Sequence, residues 1–314
     1  MTAAFTFPGQ GSQAVGMGKA LAEGFAPARA VFEEVDSALG EKLSATMWDG
    51  PIEKLTLTEN TQPALMAVSI AVIRVLEAEA GLDLKRDAKF IAGHSLGEYS
   101  ALAAAGAFSV SDAACLLRTR GLAMQKAVPV GEGAMAALIG LSFEDASAAA
   151  YEGAQGQVCQ VANDNGAGQV VISGNKAAVE RACEIAKAKG AKRAMMLTVS
   201  APFHCALMQP AADVMAQALS KVSVKPPVVP VVANVRATAI SDPALIVRAL
   251  VEQVTATVRW RECVLYMAAQ GVTTFYEAGA GKVLTGLAKR IADGATGIAI
   301  GTPDDIAAFK SARG

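Results

Sequence analysis

The chain has 314 residues, 53% of them hydrophobic and 18% charged, with a formal net charge of −1. A near-neutral balance gives no general attraction to nucleic acid or to anionic membranes, and the length accommodates one large domain or two modest ones with ample core. The longest apolar stretch, Ala64 to Ile73, is interrupted by Ser69 and is too short to span a bilayer. No basic start with a following apolar run marks a signal peptide, and the five cysteines are scattered without a C-x-x-C pair. A reducing, cytoplasmic setting is therefore expected.

In chain order, Ala3 to Phe7 reads as a first strand, ending in the loop Pro8-Gly9-Gln10-Gly11-Ser12-Gln13. Its glycine spacing does not match G-x-G-x-x-G, which argues against a dinucleotide site. Flexible amides at a strand end would equally suit an oxyanion hole. Helical patterns follow at Ala14 to Glu23, Pro27 to Leu39 and Gln62 to Ala80, with Pro63 near the start of the last, where proline is tolerated.

Ala88 to Ala92 reads as a short buried strand and Leu96 to Ala107 as a helix. Between them lies Gly93-His94-Ser95-Leu96-Gly97, which fits the nucleophile-elbow pattern G-x-S-x-G. Such a junction lifts a serine onto a helix N-terminus, whose free N–H groups favour a developing oxyanion. A serine hydroxyl needs a base beside it. The chain has two histidines, His94 and His204. His94 adjoins Ser95 and is poorly placed to fold back on it, which leaves His204. Cys205 beside His204 raises thiol chemistry, but Ser95 has the better-formed junction. No acidic residue stands at an obvious triad position, so a carbonyl is a suitable acceptor to orient the imidazole.

The pattern next predicts a helix from Ser111 to Lys126, with Ser111 as N-cap and Asp112 in its first turn. Arg120 shares its apolar face with Ala113, Leu116, Leu117 and Met124, whereas Arg118 points elsewhere. A guanidinium on such a face needs an anionic or hydrogen-bonding partner. That partner is either an internal acid, with the side chain snorkelling as a variant, or a substrate carboxylate held bidentately.

From Val128 the texture changes. Strands are predicted at Ala134 to Ile139, Val158 to Ala162, Gln169 to Ser173 and Ala194 to Thr198, with helices at Phe143 to Glu152 and Asn175 to Lys189. Two β-α-β halves suggest a small ferredoxin-like domain over residues 128–198, inserted between the serine and its base. A cleft between the domains would be the natural substrate site. The last third reads as strand Val228 to Asn234, helix Arg259 to Ala269, strand Thr273 to Glu277, helix Val283 to Ile291 and strand Ile298 to Ile300.

Together these runs resemble the malonyl-CoA:acyl-carrier-protein transacylases of type II fatty acid synthesis. The matching segments are Phe7 to Gln13, Gly93 to Tyr99, Arg118 to Gly121 with Met124-Gln125, Gln169 to Gly174, Phe203-His204-Cys205 and Gly281 to Leu284. The resemblance implies an α/β-hydrolase-like core with a parallel sheet, over residues 1–127 and 199–314, plus the ferredoxin-like insert. It implies malonyl transfer from malonyl-CoA through a malonyl-serine on Ser95, with His204 as base and the Gln10 and Leu96 N–H groups as oxyanion hole. Arg120 would then pair with the malonyl carboxylate, and Gln253 would orient His204 through its backbone carbonyl. Phe203 before His204 is similar to the His-Ala-Phe-His motif of malonyl-selective acyltransferase domains. Asn163 would lie on the small-domain side of the site. Lys192, Lys289 and Arg290 match positions implicated in carrier docking; a solvated charged face is the alternative for each. Acyl carrier protein and coenzyme A thioesters are the implied partners, with no metal or tightly bound cofactor. Where relatives often carry Asn-Pro before Val-x-Trp, this chain has Ala256-Thr257, and Ala280 replaces a frequent proline. Both changes bear on loops near Gln253. A serine esterase or thioesterase is the alternative. It accounts for Ser95 and His204 but predicts an acidic triad member and leaves Arg120 without a task.

Overall fold

The computed structural model describes residues 2–313. Two sheets organise the chain. The ten strands are β1 (Ala3–Phe7), β2 (Phe90–Gly93), β3 (Gly133–Ile139), β4 (Cys159–Asp164), β5 (Gln169–Asn175), β6 (Arg193–Met196), β7 (Val231–Val232), β8 (Ala239–Ile240), β9 (Thr274–Ala278) and β10 (Thr296–Ile300).

The larger sheet has the order β10-β9-β1-β2-β7-β8. All its pairings are parallel except β7 with β8. β1 sits at its centre and is buried at every residue, as expected of a parallel strand covered on both faces. Alternation divides its side chains between two cores. Phe5, Phe7 and Ile91 face one cluster with helices Ala26–Leu39, Thr58–Ala80 and Val110–Ala127. Ala4, Phe90, Ala92 and Phe275 face the other, with Trp260, Val264 and Leu284. Thr58–Ala80 is apolar nearly all round and correspondingly buried along almost its whole length.

The smaller sheet has the order β4-β5-β3-β6, antiparallel throughout. Helices Phe143–Ala154 and Lys176–Ala188 pack on it around a separate core that includes Leu138, Ile172 and Val179.

Three local expectations are corrected. The helix expected over Ala14 to Glu23 begins only at Lys19, because Gly16 and Gly18 take φ of 93° and 77° and make turns instead. The helix at Val110–Ala127 is capped by Ser109, whose side chain accepts the Asp112 N–H; Ser111 is drawn to Glu34 of a neighbouring helix. The strand expected over Val228 to Asn234 is reduced to Val231–Val232, since Pro230 has no N–H for a ladder and contributes only its carbonyl, to Ile91.

Candidate active site

β2 ends at Gly93 and the next helix runs Gly97–Ala104, so residues 94–96 turn sharply between them. Ser95 sits at the apex with φ 53°, a left-handed conformation that a non-glycine residue rarely holds. The elbow glycines serve space rather than dihedral freedom. A Cβ at Gly93 would lie 1.9 Å from the Gly97 backbone, and one at Gly97 would lie 2.2 Å from the Phe7 carbonyl oxygen. The loop after β1 presses on the same turn, since a Cβ at Gly9 would meet the His94 carbonyl at 2.8 Å. His94 turns away from the hydroxyl: its Nε2 lies 2.9 Å from Asn165 Oδ1, and its ring packs on Trp260.

Ser95 Oγ lies 2.7 Å from His204 Nε2. On the far side of the ring, Nδ1 lies 2.8 Å from the Gln253 backbone carbonyl. A carbonyl only accepts, so Nδ1 carries the proton and Nε2 is free to receive one from Ser95. His204 is buried, with φ 57°. Burial pushes its pKa down to about 3, with the Arg120 charge adding to the effect, so the imidazole is neutral at physiological pH.

Arg120 reaches the same point from the helix Val110–Ala127 and is 1% exposed. It donates from Nη1 to Gln62 Oε1 at 2.7 Å, and from Nη2 to Gln253 Oε1 at 2.9 Å and Ser95 Oγ at 3.1 Å. Its Nε has no partner among the described residues, and its guanidinium lies over the Tyr99 ring. Arg118 is already paired with Glu41. Arg120, by contrast, has no carboxylate partner among the described residues. A buried cation resting on neutral oxygens is costly unless an anion joins it.

A cavity of about 180 Å³ opens onto these groups, lined by Gln10, Ser95, Leu96, Arg120, Asn163, Phe203 and His204 among others. Among the described residues, the N–H groups of Gln10 and Leu96 find no acceptor. Gln10 is held through its side chain, which accepts from Thr58 at 3.0 Å. Asn163 sits at a bulge in β4 and bridges to Val258, joining the two sheets' regions beside the cavity. Gln253 is fully buried behind it. Lys192, Lys289 and Arg290 lie apart from this cavity on the surface, with Lys192 packing its stem against Gly140.

Sequence reasoning missed the polar layer beneath the serine. Asn234 Oδ1 accepts the Ser95 N–H at 2.8 Å, and its Nδ2 donates to the Gly93 carbonyl at 2.8 Å. Glu98 Oε2 accepts the Asn234 N–H at 3.0 Å and Gln253 Nε2 at 2.9 Å. Burial raises the Glu98 pKa to about 7. The available signal was an acid three residues after the serine in an otherwise apolar helix.

A family model described as an acyl transferase domain matches residues 4–299. The chain is 50% identical over 305 residues to the malonyl CoA-acyl carrier protein transacylase of Escherichia coli, covering 97% of each. It belongs to the acyl transferase family, among the malonyl CoA-acyl carrier protein transacylases. The Bacillus subtilis transacylase is 47% identical over 304 residues, covering 96% of this acyl transferase and 94% of its own length. An acyl-carrier-protein-S-malonyltransferase from Bartonella henselae superposes with TM-score 0.97 at 58% identity, covering 100% of this chain and 99% of that one. A malonyl-transacylase solved in complex with a type II polyketide acyl-carrier protein superposes with TM-score 0.96 at 44% identity, covering 99% and 100%.

Proposed function

We propose that this acyl transferase moves a malonyl group from malonyl-CoA to the phosphopantetheine thiol of an acyl carrier protein in fatty acid biosynthesis, through a malonyl ester on Ser95. One observation carries the acyl specificity: the Arg120 guanidinium, buried with no carboxylate in direct contact among the described residues, stands 3.1 Å from Ser95 Oγ at the edge of a small cavity. Malonyl is the acyl group that brings its own anion to that spot.

In the first half-reaction Ser95 Oγ attacks the thioester carbonyl carbon while its proton passes to His204 Nε2. The oxyanion forms against the Gln10 and Leu96 N–H groups, which have no competing acceptor among the described residues. The carbon–sulfur bond then breaks, the departing thiolate takes the proton from His204, and Ser95 is left acylated. In the second half the carrier's thiol gives its proton to His204, and its sulfur attacks the ester carbonyl. The Ser95–acyl bond breaks and the proton returns to Ser95. Through both halves Gln253 holds the imidazole by Nδ1, and Arg120 holds the malonyl carboxylate. Phe203 and Asn163 supply walls beside the acyl group.

The fold is read more finely as an α/β-hydrolase-like core over residues 1–127 and 199–314, interrupted by a ferredoxin-like insert over residues 128–198. The small sheet's order β4-β5-β3-β6 with one helix after β3 and one after β5 supports the second part. Lys192, Lys289 and Arg290 are assigned to docking the acidic carrier. No tightly bound cofactor is assigned, and a cytoplasmic location is proposed. No helix among the described residues is long and apolar enough to cross a membrane.

The test mixes the protein with malonyl-CoA and carrier bearing or lacking phosphopantetheine. Malonyl should appear on the loaded carrier in step with CoA release, and none on the unloaded one. Continuous release of CoA and free malonate without carrier would mean an esterase instead.

A further inference from the structure

The Gln253 side chain occupies a position where its polarity matters. Its Oε1 accepts from Arg120 at 2.9 Å, while its Nε2 points the opposite way into the polar layer under Ser95. A flipped amide would set NH₂ against the guanidinium, donor against donor, and its oxygen against the Glu98 carboxyl. Nε2 has three acceptors in reach. Glu98 Oε2 is the nearest at 2.9 Å; the Ser95 carbonyl at 3.1 Å and Asn234 Oδ1 at 3.2 Å are longer, and Asn234 Oδ1 already serves the Ser95 N–H. The same Glu98 oxygen also takes the Asn234 N–H. One carboxyl oxygen therefore ties down both residues that support the nucleophile from below.

We infer that Glu98 is a positioning residue: by fixing the Gln253 amide it aims Arg120 at the substrate carboxylate, and by anchoring residue 253 it holds the carbonyl that orients His204. The task requires an acceptor at Oε2, which both the charged and the protonated carboxyl provide. Glutamine can offer the same oxygen, whereas leucine fills the volume and offers nothing. Aspartate falls short by one methylene. The inference rests on the acyl-transfer roles given above to Ser95, His204 and Arg120.

The experiment compares Glu98→Gln, Glu98→Leu and Glu98→Asp for malonyl and acetyl transfer, with Gln253→Leu and the double variant Glu98→Leu/Gln253→Leu. Glu98→Gln should stay within about three-fold of the parent, and Glu98→Leu should lose about ten-fold or more in kcat for both acyl groups, the usual scale for a lost buried hydrogen bond. The KM for malonyl-CoA alone should rise, because only that acyl group uses Arg120. The double variant should be no worse than Gln253→Leu. Should Glu98→Leu fail to fold, Glu98→Asp is expected to show the same kcat loss and the same malonyl-only rise in KM. The inference is overturned if Glu98→Gln is as damaged as Glu98→Leu, if both acyl groups shift equally in KM, or if the two losses multiply in the double variant. Acylation of the parent by malonyl-CoA, measured alongside, tests the underlying acyl-transfer roles separately.

Discussion

Replacing Arg120 with methionine keeps much of the aliphatic stem and removes the charge. The parent guanidinium is 1% exposed and rests on Gln62, Gln253 and Ser95. A charge-assisted pair desolvated to this degree is worth about 2–5 kcal/mol when one partner is truncated. That corresponds to a fall of roughly thirty-fold to several thousand-fold in kcat/KM for malonyl-CoA. Acetyl-CoA carries no carboxylate and is affected only through the lost contacts of Arg120 to Ser95, Gln62 and Gln253, so its kcat/KM should change by less than about ten-fold. The malonyl-to-acetyl ratio should therefore collapse, measured by rapid-quench acylation with each thioester. Equal losses for both would show that Arg120 holds the fold or the serine and does not recognise the acid.

The elbow tolerates no added carbon. Gly97→Ala places a Cβ 2.2 Å from a backbone oxygen and should cost about 1–3 kcal/mol or more of stability, with activity lost; an unchanged melting temperature with full activity would contradict the packing described. Stability should also depend on pH through Glu98. Its folded pKa, about 7, lies above the ordinary 4.5, so the native state binds the extra proton between those values. That contribution is full below pH 4.5 and is lost as pH rises through 7, to the extent of about 3 kcal/mol. His204 acts in the opposite sense: its folded pKa of about 3 means that stability is lost as pH falls from 6.5 toward 3. Denaturant unfolding of the parent and Glu98→Gln from pH 4.5 to 7.5 isolates the first effect. The parent should lose stability relative to Glu98→Gln as pH rises through 7, and a pH-independent difference would refute it.

The central strand and the elbow were legible because local rules dominate there. Ala3–Phe7 is a short apolar run ended by Pro8 and Gly9, and the strand has the bounds expected. Gly93 and Gly97 sit where the backbone leaves no room for a side chain. The approach of residues 95 and 204 was legible for a different reason: the chain has so few histidines that the choice was nearly forced. Arg120 stood out as a charge on an apolar face. Glu98, Asn234, Gln62 and Asn165 did not stand out, because their roles consist of contacts between residues remote in the chain. The capping error has the same root. Ser109 and Ser111 both precede Asp112, but only tertiary packing brings Glu34 to claim Ser111. At residues 14–18 the glycines override an amphipathic pattern by taking positive φ.

The account depends on a covalent malonyl ester at Ser95. Intact-mass measurement after mixing the protein with malonyl-CoA, carrier omitted, should show a single added malonyl group, mapped by peptide digestion to Ser95 and absent in Ser95→Ala. Transfer to carrier that proceeds at full rate with no such adduct, or with the adduct on another residue, would contradict it.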